Sequence, residues 1–431
     1  MGEPNPASVW VFARLRFLIR PTTFSLLWRL VALNAFWFAL NVAGNGLDPI
    51  AMPLRVQELA PGDAKATWLA GLRTAGLLVA ILWQPTIGAL SDRRLGGRLP
   101  YLMIGAAAFV VILPLMALAP TFAILLLSIL LLQLSSNTIQ GPLQALVTDY
   151  MPSYLYSRAA GFKALFEVVG GVVGALCVGL LITGVWPTSA YVLVGAAAVL
   201  AAAVTYAGLR GVRPRKRVVL AEVAAPHTFR RALADLRTPG MRGFRWWLVN
   251  RMLFTFSLAT IKVYGLFYVQ DYLGLPEPGR VVGVLVATIG VGVALLALPA
   301  ARLAERIGWR IPMLAASALG VTAALLFLFA GNAWQLWVFG GIFGVALALY
   351  QVVGWGLGMR LAPVGRVGQF LGVANVAAIA GSISAGLVGP VIDILNHRQP
   401  GSGYLVMLVV DAACFALAAL ALLRIPKDAA P

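Results

Sequence analysis

A chain of 431 residues with 61% hydrophobic and only 11% charged residues falls far below the roughly 25% charged content of soluble domains. Composition therefore excludes a soluble globule and implies a polytopic membrane protein. The formal charge of +18 would suggest a nucleic-acid partner in a soluble chain. Here the basic residues sit in short segments between apolar runs, the pattern of cytoplasmic loops, which argues against nucleic acid.

The first 28 residues are polar and then read Trp10-Val-Phe-Ala-Arg14-Leu-Arg16-Phe-Leu-Ile-Arg20, a basic amphipathic segment without a small-residue cleavage site, expected to lie at the interface. Apolar runs of about 20 residues, enough to cross about 30 Å of hydrocarbon, then recur. They span 29–53, 66–90, 100–119, 121–146, 159–183, 189–209, 246–270, 280–301, 311–330, 333–358, 367–392 and 403–424. The predicted fold is all-α, with twelve transmembrane helices in two pseudo-symmetric six-helix bundles, 29–210 and 246–424. Residues 211–245 form a basic central loop containing Arg213-Pro-Arg-Lys-Arg217, and 425–431 a short tail. Most of the 33 lysines and arginines fall on one face of this threading, which places both termini in the cytoplasm. The abundance of Arg over Lys and the short loops point to a bacterial inner membrane. The halves repeat internally: Asp92-Arg93 aligns with Glu305-Arg306, and Gly141 with Gly354.

Neither cysteine, Cys177 nor Cys414, lies outside an apolar run, so no disulfide is expected. His227 and His397 have no ligand-spaced companions, so neither a metal nor a cofactor is expected. No phosphate-cradling Gly-x-x-x-x-Gly-Lys loop is present, and no nucleophile–base constellation argues for an enzyme.

The most informative stretch joins spans 2 and 3: Gln84-Pro85, Gly88, Ser91-Asp92-Arg93, Gly97-Arg98 and Pro100-Tyr101. A glycine one turn before an aspartate permits close helix approach. Asp92, Arg93 and Arg98 make a compact charge cluster that can hold one conformation and release another. Asp149 and Arg158 of loop 4–5 lie on the same face, so Asp149 is expected to latch Arg93 or Arg98. This stretch resembles the loop 2–3 signature of the major facilitator superfamily, in particular the glycoside-pentoside-hexuronide:cation symporters and plant sucrose transporters. The resemblance implies two six-helix repeats related by an axis along the membrane normal. It also implies a cavity lined by helices 1, 4, 7 and 10. The sequence departs from the melibiose-type symporters, which carry an aspartate pair on helix 2, because span 2 has no acid.

The intramembrane polar residues concentrate on those four spans. Span 1 carries Asn34, Asn41, Asn45 and Asp48 on one helical face, and span 4 carries Gln133, Asn137, Gln140 and Gln144. Span 7 offers Arg251, Thr255 and Lys262; span 10 offers Gln351 and Trp355. Amides supply donors and acceptors to hydroxyls, and Trp37 and Trp355 offer stacking faces, a lining suited to a neutral sugar. Asn375 on span 11 is a further candidate. The alternative is that these amides bond helix to helix.

Four charges complete the set. The repeat register places Asp48 and Lys262 at similar depth, where they can pair across the two halves, or Asp48 can pair with Arg73. Glu167 stands one turn beyond Lys163, either as its helical partner or as a coupling carboxylate. Asp411 on span 12 is expected to be structural. The reading is a secondary transporter moving a small solute, a sugar or glycoside, coupled to protons and acting as a monomer among membrane lipids. The rival readings are a drug or metabolite exporter of the same superfamily and a non-transporting member that assembles membrane proteins or binds lipid.

Overall fold

Hydrocarbon offers no partner to a backbone N–H or C=O, so each apolar run closes its hydrogen bonds within itself as a helix. The computed structural model describes residues 23–93, 97–152, 155–182, 187–212, 234–363 and 367–426. Most of the expected amphipathic segment at 1–28, most of the basic central loop and most of the tail lie outside the described residues. Twelve described helices are long and apolar enough to cross a membrane: α1 (Leu26–Leu59), α2 (Lys65–Gly88), α3 (Leu99–Ala117), α4 (Phe122–Tyr150), α5 (Arg158–Ile182) and α6 (Ser189–Leu209), then α7 (Pro239–Tyr272), α8 (Pro278–Ile307), α9 (Arg310–Leu328), α10 (Ala333–Leu361), α11 (Phe370–Arg398) and α12 (Ser402–Leu423). The protein is a multi-pass membrane protein of all-helical fold. Large apolar side chains such as Leu82, Val111 and Phe329 are exposed on its flanks, as lipid-facing residues must be.

Helix ends follow local chemistry. Thr121 caps α4 by accepting from the Ile124 amide. Asn332 caps α10 by accepting from the Gln335 amide at 3.0 Å, while the Gln335 side chain reaches back to the Gly331 amide at 2.8 Å.

Two helices depart from the α geometry. α1 passes through a π turn at Leu47–Ala51, and α7 ends in one at Tyr268–Tyr272. Pro49 lies within the first and Pro53 two residues beyond it; neither donates a backbone bond, which loosens the ladder there. The helix continues past both prolines, so the expected end of span 1 at residue 53 falls short of the observed end at Leu59.

Small residues set the closest helix contacts. A methyl group at Gly170 or Gly174 of α5 would collide with the Phe38 and Val42 backbone of α1. A methyl at Gly283 of α8 would meet the Ala175 carbonyl of α5 at 2.5 Å. The last contact joins the first six spans to the last six. Among the described residues, the Lys65–Asp271, Thr67–Asp393, Lys262–Gly44 and Lys262–Asp48 contacts cross from one set to the other at the end where α1 leads into α2 and α7 into α8. That end is called the closed end below, and the opposite one the open end.

Candidate functional site

At the closed end the π turn of α1 presents Asp48. Its Oδ2 lies 3.7 Å from Arg73 Nη1 on α2 and 3.7 Å from Lys262 Nζ on α7. The two pairings read from the sequence as alternatives thus occur together, with one carboxylate shared between two cations. At 3.7 Å these are ion-pair contacts. Lys262 also donates to the Gly44 carbonyl of α1 at 2.9 Å, so a single lysine ties α7 to α1 twice.

A second layer lies nearer the surface. Lys65 pairs with Asp271 at 2.8 Å and sits 4.7 Å over the Phe267 ring. The Tyr404 hydroxyl donates to Asp271 at 2.5 Å. Asp393 of α11 accepts from the Ala66 and Thr67 amides at 3.2 and 2.7 Å, and from the Thr67 hydroxyl at 2.6 Å. A carboxylate from the last six spans therefore caps a helix belonging to the first six. Asp63, His397 and four of these residues, Lys65, Asp271, Asp393 and Tyr404, line a cavity of about 260 Å³. Sequence reasoning missed this layer. The available signal was that Lys65, Asp271 and Asp393 all stand at span ends assigned to one face.

The amide stripes fare unevenly. Asn34 is completely buried and bonds to the Leu30 carbonyl at 2.8 Å, so it meets no open space. Asn41 and Asn45 are half-buried and turn their amide nitrogens back on the Trp37 and Asn41 carbonyls of their own helix. Trp37 is 7% exposed, with Lys163 Nζ 4.2 Å over its ring, so that stacking face is already occupied. On α4, Gln133 packs against Gly76 of α2, and Asn137, 5% exposed, bonds to the Gln133 carbonyl. Gln140 accepts from Gln84 of α2 at 3.1 Å, and Thr138 from Trp83 at 2.9 Å. Within that stripe Gln140 bonds helix to helix and Gln133 packs against α2, because a helix spacing identifies a shared face without saying what the face meets. Gln144, Gln351 and Asn375 are exposed, and Trp355 is half-buried beside Arg251.

Glu167 pairs with Lys163 at 2.8 Å, one turn away on α5. Asp411 is fully buried and accepts from Thr260 at 2.6 Å, which ties α12 to α7.

At the open end Gly141 of α4 stands close to the α2 backbone, and a methyl there would approach the Gln84 carbonyl to 3.0 Å and the Gly88 amide to 3.2 Å. Gly97 adopts φ +75°, a left-handed turn suited to glycine, just before α3 begins. Arg98 and Asp149 pair at 3.6 Å, both buried. The pair joins the start of α3 to the end of α4 and so lies within the first six spans. The expected pairing of Asp149 with Arg98 is thus present. Arg158 is exposed at the start of α5, and the side chains of Asp92 and Arg93 lie outside the described residues.

The architecture and this charge placement bear comparison with known proteins. A family profile described as Major Facilitator Superfamily matches residues 35–378. The chain belongs to the major facilitator superfamily. Superfamily members of known structure superimpose over nearly the whole chain. A mutant of the nucleoside transporter NupG aligns with a TM-score of 0.75 at 14% identity, covering 93% of this chain and 100% of that one. A bacterial homologue of the human lysosomal transporter Spinster, in an inward-facing unoccupied conformation, gives 0.67 at 16% identity, covering 95% and 99%. A mutant of the peptide transporter POT gives 0.70 at 14% identity, covering 92% and 94%. No curated protein matches in sequence. At these identities the likeness is one of fold: a superfamily transporter with twelve spans, and no particular substrate.

Proposed function

We propose that the protein is a secondary active transporter that moves a small polar solute, a sugar or glycoside, by alternating access coupled to protons. The observation that carries the reading is the one-sided seam. Among the described residues, Asp48, Lys262, Lys65, Asp271 and Asp393 hold the two sets of six spans together at one end, an asymmetry that fits alternating access. On this reading residues 29–210 and 246–424 are the rocking bundles, the open end faces the cytoplasm of a bacterial inner membrane, and both termini lie there. Exposed Gln144, Gln351 and Asn375 and half-buried Asn41, Asn45 and Trp355 form the solute lining. Asp48 is the proton acceptor. Protonating it removes the shared carboxylate and leaves Arg73 and Lys262 without their acid, which favours parting of the closed end.

The test is solute-driven proton movement in proteoliposomes, with neutral and acidic mono- and disaccharides and with wild type beside Asp48→Asn. Sugar-dependent alkalinisation of the outer solution that the variant loses is the expected result. Solute uptake that ignores the proton gradient would remove coupling. The bonding of the Gln140 amide and the Thr138 hydroxyl of α4 to α2 favours a second reading, a non-transporting member that binds membrane proteins or lipid. Absence of uptake under any gradient, in protein shown to be folded, would select it.

A further inference from the structure

Arg251 lies in the interior of α7, where a charge is costly unless it meets a partner or water. Its Nε donates to the Ala374 carbonyl of α11 at 3.0 Å. Its guanidinium carbon stands 4.7 Å from the Trp355 ring centroid on α10 and 5.8 Å from that of Trp247. The Tyr350 hydroxyl, which donates to the Arg251 carbonyl at 3.4 Å, adjoins it. No carboxylate among the described residues lies within 4.0 Å of this guanidinium.

The other interior charges do not supply one. Glu167 is paired with Lys163, Asp48 is shared by Arg73 and Lys262, and Asp411 is enclosed against Thr260 further along α7. Lys163, Arg73 and Lys262 each have an acid beside them, whereas Arg251 has none among the described residues. An arginine fork held at Nε by a carbonyl and flanked by an aromatic ring leaves Nη1 and Nη2 for a planar or tetrahedral oxyanion. A neutral solute would leave that charge uncompensated.

We infer that Arg251, backed by Trp355, binds an acidic group of the transported solute, a carboxylate or a phosphate monoester. The inference rests on the transport reading above and narrows its solute from sugars in general to solutes bearing an anion. Trp355 orients the guanidinium and offers its edge to the adjoining apolar part of the solute, and exposed Gln351, one turn away, serves the hydroxyls.

The test uses glucose, glucuronate and glucose 6-phosphate, read by thermal protection of the purified protein and by uptake into proteoliposomes. Wild type is set beside Arg251→Gln and Arg251→Lys, each first shown to keep the wild-type melting temperature without solute. Protection and uptake by at least one acid, with glucose inert, is expected, and the two acids distinguish carboxylate from phosphate. Arg251→Gln should weaken the apparent affinity for that acid by about tenfold to a hundredfold, the span of a charge-assisted hydrogen bond. Arg251→Lys should fall between, because it keeps the charge and loses the fork. If the variants do not fold, phenylglyoxal modification of Arg251 in wild type gives the answer: protection by the acid and not by glucose supports the site, and equal labelling refutes it. Glucose moving as well as either acid, or an acid indifferent to Arg251→Gln, overturns the anion site and leaves the transporter standing. No protection or uptake by any of the three overturns both.

Discussion

Asp48 is one carboxylate serving two cations, and its substitution tests more than one contact at once. The side chain is a third exposed, so each pairing contributes only about 0–1 kcal/mol. Asp48→Asn should therefore fold with little change in melting temperature yet shift the balance between conformations by about tenfold, since so small an energy is enough to move populations. The Arg98–Asp149 pair behaves differently because both partners are buried. Asp149→Asn should lower stability by about 1–3 kcal/mol, visible in thermal unfolding, while leaving the accessibility of the closed end unchanged. The register of the repeat brings out the Asp48–Lys262 relation, because equal depth on helices 1 and 7 is a property of sequence position. Asp271 and Tyr404 are not legible in that way. They meet only when loop ends from different spans converge, and nothing in local spacing encodes convergence.

Among the elements, α1 and α5 form the tightest seam, and two glycines of α5 separate packing from propensity. Gly174→Ala places a methyl against the Val42 carbonyl, whereas Gly161→Ala meets nothing within 4 Å. The first should cost about 1–3 kcal/mol or abolish folding; the second should be neutral or slightly stabilising, since alanine is the better helix former. Paired thermal unfolding of the two variants checks this. The twelve helices are read directly from apolar run length. The π turn of α1 is not. Pro49 and Pro53 announce a disturbed ladder, but the turn's handing of Asp48 to Arg73 and Lys262 depends on where α2 and α7 stand. The α4 stripe shows the same limit from the other side: its spacing marks a common face, and only the position of α2 assigns Gln140 to Gln84.

For the whole molecule the contrast between the two ends makes an accessibility experiment direct. In a background with Cys177 and Cys414 replaced, Gln351→Cys should react rapidly with a polar maleimide, since Gln351 is exposed. Thr74→Cys should react slowly, because Thr74 is packed where a methyl on Gly386 of α11 would come within 3.1 Å of it. Adding Asp48→Asn should raise the Thr74→Cys rate severalfold and leave the Gln351→Cys rate alone. Equal rates at both positions would contradict a one-sided seam.

The cap that Asp393 places on α2 carries a consequence of its own. The Ala66 and Thr67 amides are satisfied by a side chain from the other half of the chain, so they are protected from solvent only while the halves meet. Each parting of the closed end returns both amides to water and starts their deuterium exchange. Their exchange rate is thus a clock for the conformational cycle, readable with no substrate in hand. Asp393→Ala should set that clock running fast, and any solute that holds the closed end shut should slow it.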